Sequence, residues 1–316
     1  MAVTIRDVAN RAGVSASTVS RTFSRPEKVD RRTRDAVEAA AAALGYSPNL
    51  AARSLATGTR GQVGILVPDL TNPFFAAVLR GAVAALLDAG TQALVGDFDD
   101  DPRRESEWIR TMRHHVDGFI LCSPRMSDAD LAILHEDSPL VLVNRTSETI
   151  PYIHYSNAAG IKQSVRHVRA LGHHQIGYAA GPESSRSARE RLAAFRECTD
   201  GVELGRFAST FEGGEAAADA ALEAGVTALL AYNDVQAIGA VHRLIGYNAV
   251  LPAHMSILGF DDIPIARMIT PALTTVALPQ EAAGAEAARL MVEGDPTSVE
   301  MQVLLQVRAS TSLLTA

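Results

Sequence analysis

At 316 residues the chain has room for a small head and a two-lobed body, and it holds no long apolar run of the roughly 18 residues that a membrane-spanning helix needs. Its formal charge is −7, unevenly placed: residues 1–60 carry nine Arg, Lys28 and five Asp or Glu, a net of +5, so residues 61–316 carry −12. A uniformly acidic surface would suit an ordinary enzyme, whereas a basic head on an acidic body is what phosphate attraction requires of an end that meets nucleic acid.

Thr4–Ala12 predicts a short helix capped by Thr4, with Asp7 three residues on as a short-armed capping box. Gly13 supplies the permissive backbone of a tight turn. Ser15 caps a second helix through Ser17, Thr18, Val19, Ser20, Arg21 and Phe23, and Ile5, Val8, Ala9, Val14, Val19 and Phe23 form the apolar lining. Two short helices about a glycine turn make a helix-turn-helix, whose second helix can lie in the major groove; a plain helical hairpin is the alternative, and the basic charge favours the first. A third helix spans Asp30 to Leu44, capped by Asp30 and closed by Gly45. Arg31, Arg32 and Arg34 at its start are either a solvated run or phosphate contacts. Pro48–Ala56 is a short helix candidate, too short to stand alone in water, and residues 57–61 follow as a flexible exit.

From Gln62 apolar runs alternate with amphipathic stretches. Val63–Val67, Ala93–Val95, Gly118–Leu121 and Leu140–Val143 predict buried parallel strands, with helices near Phe74–Leu87, Arg103–His114 and Asp128–His135 between them. A second set of strands follows near Ile153–Tyr155, Ile176–Ala179, Ala228–Ala231 and Ser256–Gly259. Two such sets predict an α/β body of two doubly wound parallel-sheet subdomains with a cleft between them.

A ligand in that cleft would lie beyond the carboxyl ends of the strands. Asp97, Asp99, Asn144, Arg145, Asn233, Asp234 and Asp261 fall there, and Phe74 or Phe75 offers an apolar face for a ring. Asp97 and Asp99 can equally cap the helix that Pro102 opens, and Asn233 and Asp234 the helix that follows them. Asp262 reads as a loop residue, and one of Phe74 and Phe75 as core, since neighbours on a helix face different ways.

The order Thr4-Ile5-Arg6-Asp7-Val8-Ala9, Ala12-Gly13-Val14-Ser15, Thr18-Val19-Ser20-Arg21, Leu44-Gly45-Tyr46, Pro48-Asn49 and Ala52-Arg53-Ser54-Leu55 resembles the head of the lactose-repressor (LacI/GalR) family of bacterial transcription regulators. In the body, Asn72-Pro73-Phe74-Phe75, Val116-Asp117-Gly118, Leu171-Gly172-His173, Asn233-Asp234, Gly259-Phe260-Asp261-Asp262, Pro271–Val276 and Val307–Thr311 extend the resemblance over nearly the whole chain.

The resemblance implies a helix-turn-helix DNA-binding domain at 1–46, a hinge helix and linker at 47–61, and an effector-binding and dimerisation domain of the periplasmic-binding-protein-like type at 62–316, with crossovers near 145–152, 272–279 and 300. It implies that Ala16, Ser17 and Arg21 meet base edges, Arg21 with two bonds to one guanine unless it takes a phosphate. Thr4, Ser15, Thr18, Ser20, Asn49 and Arg53 complete the DNA-binding set, with Ser20 and Thr18 on phosphates or capping, and Leu55 matches the leucine that wedges into the minor groove. For the effector it implies Arg191, with Arg189 as the neighbouring alternative, beside Phe74, Phe75, Asp97, Asn144, Asn233 and Asp261. Many relatives carry Asp where this chain has Ser156, before Asn157, so their way of tying ligand to lobe closure does not transfer directly.

Cys122 and Cys198 stand far apart, and His114-His115 and His173-His174 lack metal-ligand spacing, so no metal or cofactor is expected. No Walker motif, intact dinucleotide fingerprint or Gly-x-Ser-x-Gly elbow appears, so an enzyme is not expected. With no leader before the head, a cytoplasmic protein is expected, and a solute-binding protein of similar body is disfavoured. The last strand is followed only by Ser312–Ala316, without the leucine-rich helix of tetrameric relatives, so a homodimer is expected. Together these predict a sequence-specific repressor that binds a pseudo-palindromic operator and is controlled by a sugar-like molecule in the interlobe cleft.

Overall fold

A computed structural model describes residues 3–24, 28–46 and 60–314. The chain divides into two compact units, Met1–Gln62 and Val63–Ala316. The expectations for Asn49, Arg53 and Leu55 lie outside the described residues.

The first unit holds helices α1 (Ile5–Ala12), α2 (Ala16–Ser24) and α3 (Arg31–Leu44). The Asp7 carboxylate accepts from the Thr4 backbone N–H (2.8 Å) and hydroxyl (2.7 Å), which starts α1. Gly13 ends it at φ 69°, in the left-handed region that costs glycine nothing. Ser15 Oγ accepts from Thr18 N (3.1 Å) to start α2, and Asp30 accepts from Thr33 N (3.0 Å) to start α3. Val8, Val19 and Val37, one from each helix, are fully buried together with Ala9, Ala40 and Ala41. Three valines meeting at one point fix the helix angles, because a β-branched side chain has little rotamer freedom to absorb a misfit.

The second unit carries two six-stranded sheets. The first lobe contains β1 (Gln62–Val67), α4 (Pro73–Asp88), β2 (Gln92–Asp97), α5 (Pro102–Met112), β3 (Gly118–Cys122), α6 (Asp128–Asp137), β4 (Leu140–Val143) and β5 (Tyr152–Tyr155). The second contains α7 (Asn157–Ala170), β6 (Ile176–Ala180), α8 (Arg186–Cys198), β7 (Val202–Arg206), α9 (Phe211–Glu223), β8 (Ala228–Ala231), α10 (Asp234–Gly246), β9 (Ser256–Asp261) and β10 (Thr274–Ala277). The chain then returns through α11 (Gln280–Glu293) and β11 (Val299–Met301) to the first lobe and ends with β12 (Leu304–Gln306) in the second.

The strand orders are β11-β5-β4-β3-β1-β2 and β12-β10-β9-β8-β6-β7. Central strands such as β3, β4, β6 and β8 are buried along their whole length, which is why they read as unbroken apolar runs. Only β12 runs antiparallel to the neighbour it pairs with, β10, among the pairings described.

One strand sits in the other lobe from that expected. Ile153–Tyr155, expected to open the second set, belongs to β5 of the first sheet, where Val143 lies opposite Ile153. Leu142 N bonds Pro151 O (2.9 Å) and Asn144 N bonds Ile153 O (2.7 Å), so the chain turns back into the same sheet without a helix. The first crossover therefore follows β5 at Ser156 rather than lying at 145–152; the other two run through 278–279 and 302–303.

Helices α4 and α11 close the first lobe, and both are glycine-notched where they cross. A Cβ on Gly81 would stand 1.9 Å from Glu281 O, and one on Gly284 would stand 1.9 Å from Val78 O. No helix among the described residues is long and apolar enough to cross a membrane.

Candidate functional site

In the head, α2 turns Val19 inward and leaves Ser17 and Arg21 exposed on its outer face. Ser15, Ser17 and Thr18 form a hydroxyl chain, with Ser15 Oγ 2.8 Å from Ser17 Oγ and 2.9 Å from Thr18 Oγ1. These groups can re-aim at a phosphate or base edge, because a hydroxyl both donates and accepts. The Thr4 hydroxyl is bonded to Asp7, and Ala16 is half-buried at the start of the helix. Arg6, Arg11, Arg31, Arg32 and Arg34 lie in the same small unit, so the reading helix sits in a positive field.

In the body, the carboxyl ends of both sheets face one cleft. It is lined from the first lobe by Pro68, Asp69, Asn72, Phe74, Phe75, Asp100, Ser123, Arg125 and Asn144, and from the second by Arg191, Ser209, Tyr232, Asn233 and Asp261. Free space between them is about 20 Å³, little more than a water needs, so a sugar-sized ligand requires the lobes or side chains to part.

Arg191, on α8, crosses the second-lobe wall and is 2% exposed. Its Nε donates to Asn157 Oδ1 (2.9 Å), Nη1 to Tyr232 O (2.7 Å) and Nη2 to Asp261 Oδ1 (3.5 Å). The guanidinium lies 3.6 Å from the Phe260 ring centroid, a stacking that holds it flat. Asp261 ends β9 with φ 120°, a strained position for a residue other than glycine. Burial pushes its carboxyl up to about 7, against the opposing pull of Arg191. Arg189, the alternative to Arg191, instead donates to Glu183 O (2.7 Å) and does not line the cleft.

Asn144 sits at φ 60° after β4, with Nδ2 donating to Ser123 Oγ (3.0 Å) and Oδ1 buried without a partner. Asn233 caps α10 through Gln236 N (2.9 Å) and also borders the cleft. Phe74 and Phe75 both border it, and both also belong to the buried core, at 3% and 7% exposed. Their rings meet edge to face at 5.0 Å.

Asp97 does not line the cleft. It is exposed, its Oδ2 accepts from Leu70 N (2.8 Å) and its Oδ1 from Asp99 N (2.8 Å), so it ties two loops together. Nor does it or Asp99 cap α5, which Asp101 does through Arg103 N (2.8 Å). Asp99 instead pairs with Arg104 at 2.9 Å. Arg145 points away from the cleft to Pro124 O, Met126 O and Asp128. Asp234 is buried beneath Gly259, bonded to Ile263 N and Thr275 Oγ1, and Asp262 pairs with Arg308. Ser156 donates to Glu300, so at this departure a hydroxyl ties the first crossover to β11.

Eight lining residues were missed: Pro68, Asp69, Asn72, Asp100, Ser123, Arg125, Ser209 and Tyr232. Ser123 and Arg125 follow β3 directly, so the strand-end rule that picked Asn144 would have found them. Arg125 is bonded to Asp100 through Nε (2.9 Å) and Nη2 (2.7 Å), and to Ser123 O through Nη1 (2.7 Å). Behind it, Glu105 is fully buried, with Oε2 accepting from Arg125 N (2.8 Å) and Met126 N (3.0 Å); burial pushes its carboxyl up to about 7. No cluster of His, Cys, Asp or Glu able to hold a metal exists among the described residues.

A family model described as bacterial regulatory proteins, lacI family, matches residues 4–49, and one described as a periplasmic binding protein-like domain matches residues 165–311. The HTH-type transcriptional repressor CytR of Escherichia coli strain K12 is 32% identical over 305 residues, 92% of this chain and 89% of the relative. Among solved structures, the lac repressor dimer bound to operator and the anti-inducer ONPF superposes with TM-score 0.85 at 26% identity, over 99% of this chain and 100% of that one. The transcriptional regulator CelR in complex with cellobiose superposes with TM-score 0.73 at 27% identity, over 98% and 100%.

Proposed function

This chain belongs to the lacI family of bacterial regulatory proteins, and on that premise we propose that it is a repressor that binds a pseudo-palindromic operator as a homodimer. The observation that carries this is the match of 92% of the chain, head and body together, to a transcriptional repressor, with a helix-turn-helix that leaves Arg21 and Ser17 exposed on its second helix. Ser15, Ser17, Thr18, Ser20 and Arg21 are its DNA contacts within α2 and its cap, with Ala16 against a thymine methyl. Asn49, Arg53 and Leu55 are its hinge contacts.

A small molecule, sugar-like as in the CelR–cellobiose complex, binds between Arg191, Asp261, Asn144, Asn233, Phe74 and Phe75 and changes operator affinity through lobe closure. The protein acts in the cytoplasm, where its DNA is, and the cleft serves binding rather than catalysis. Nuclease footprinting on DNA upstream of its own gene and its neighbours tests this. Two protected half-sites related by two-fold symmetry support it, and protection no better than on unrelated DNA refutes it.

A further inference from the structure

We propose that the first lobe carries a second ligand site, at the opposite end of β4 from the cleft, and that it takes an aliphatic diamine or polyamine. This does not depend on the effector role proposed above.

The site is a recess of about 520 Å³, within the size range of small-molecule pockets. β4 begins in it, with Leu140 and Val141 in its wall, and ends at the cleft, where Asn144 follows Val143. The C-terminal turns of α6 and α11 both border it, and Leu290 and Met291 of α11 add apolar surface to that of Leu140.

The polar lining accepts far more than it donates. Pro139, Pro151 and Pro296 have no backbone N–H. The loop N–H groups beside them are turned back into the protein: Ser138 N donates to Leu134 O (3.0 Å), Thr149 N to Ser147 Oγ (3.3 Å), and Gly294 N and Asp295 N both to Leu290 O. No Lys or Arg lines the recess, whereas Glu136 and Asp137 do, both exposed and neither in an ion pair among the described residues. His135 Nδ1, in the last turn of α6, is buried without a partner, and with the ring proton on Nε2 it is one more acceptor.

Beyond α11, Asp295 accepts from Thr297 N (2.9 Å) and from Arg289 (3.1 Å). Arg289 also faces Glu286 and Glu293, so one guanidinium is shared among three carboxylates. The carbonyl ends of both helix dipoles add the same sign. The negative groups thus come from two separate helix ends, with apolar side chains completing the recess. A ligand with a cation at each end of a methylene chain meets both ends and lays its chain on the apolar surface. An exposed ion pair gains little alone, so the second contact, made within the same complex, is what separates a diamine from a monoamine.

Titration calorimetry on the purified full chain, at near-physiological ionic strength, compares putrescine, cadaverine and spermidine with n-butylamine, which has one cation, and 1,4-butanediol, which has none. The expected result is one site per chain for at least one of the first three, about 10-fold or more tighter than n-butylamine, and no binding of the diol. Glu136→Gln with Asp137→Asn should weaken that ligand by about 10-fold at an unchanged melting temperature, because both side chains are exposed and unpaired. Glu212→Gln with Glu223→Gln removes the same charge from the exposed surface of α9 and should leave binding unchanged. Equal weakening by the two double variants would mean diffuse attraction to an acidic surface and overturns the proposal. So does a monoamine or diol that binds as tightly as the diamines. If none of the three amines binds, or if the change at Glu136 and Asp137 has no effect, the proposal falls as well.

Discussion

Arg21 lies at the exposed end of α2, where a guanidinium can bond both acceptors of one guanine. Arg21→Ala should weaken operator binding by about 1–3 kcal/mol and relax preference at one base pair of each half-site. Uniform weakening across all sequences would make it a phosphate contact. Burial sets a second residue-scale prediction. Glu105 and Asp261 are both pushed up to about 7 from ordinary carboxylate values, so the folded protein holds more protons than the unfolded chain between about pH 4 and 7. Their contribution to stability is therefore largest below that window and is lost as pH rises through it. Glu105→Gln keeps an oxygen for the N–H groups of Arg125 and Met126 and should shrink the fall in unfolding free energy between pH 5 and 8 by on the order of 1–3 kcal/mol. Denaturant titrations at the two pH values decide it, and an unchanged difference would show that Glu105 does not titrate there. Arg191 and Asp261 were legible because short motifs fixed them. Asp97 was misplaced because strand-end position alone cannot say whether a carboxylate turns to the cleft or back to a neighbouring loop, as it does to Leu70 N.

Among the elements, the crossing of α4 and α11 tolerates no side chain at Gly81, whose Cβ would stand 1.9 Å from a backbone oxygen of Glu281. Gly81→Ala must push two helices apart and should destabilise the body by roughly 1–3 kcal/mol, despite the better helix propensity of alanine. A thermal melt unchanged or raised would mean that the helices slide without loss. This close approach was invisible in sequence, since Gly81 meets Glu281, and Gly284 meets Val78, only after the chain has crossed between lobes and returned. The strand errors have more local causes. β5 reads as the start of a new set because no helix precedes it, yet its ladder partners Leu142 and Val143 lie within a dozen residues. Strands β7, β10, β11 and β12 were not anticipated: β7 is an exposed edge without an apolar run, β10 is four residues long and half threonine, and the other two are only three residues long. The head was easier, because caps such as Ser15 and Asp30 act within four residues of sequence.

For the whole molecule, an effector in the cleft and an operator at the head are linked through one equilibrium, so each must change the affinity for the other by the same factor. Calorimetric titration of the effector with and without saturating operator should give the same ratio as operator titration with and without saturating effector, within the 5- to 150-fold typical of roughly 1–3 kcal/mol of coupling. Unequal ratios would mean that a third state or a change of assembly intervenes. The charge division, +5 on residues 1–60 against −12 on the remainder, makes binding to any DNA steeply salt-dependent, so specificity has to be measured at fixed salt. The most direct measurement is competition at that fixed salt: purified protein on a labelled fragment from upstream of its own gene and its neighbours, challenged with unlabelled copies of the same fragment or of random DNA. Specific recognition predicts that the cognate competitor displaces the protein at a concentration at least 1,000-fold lower than random DNA does, within the range typical of operator-binding proteins. Equal displacement by the two competitors would contradict it.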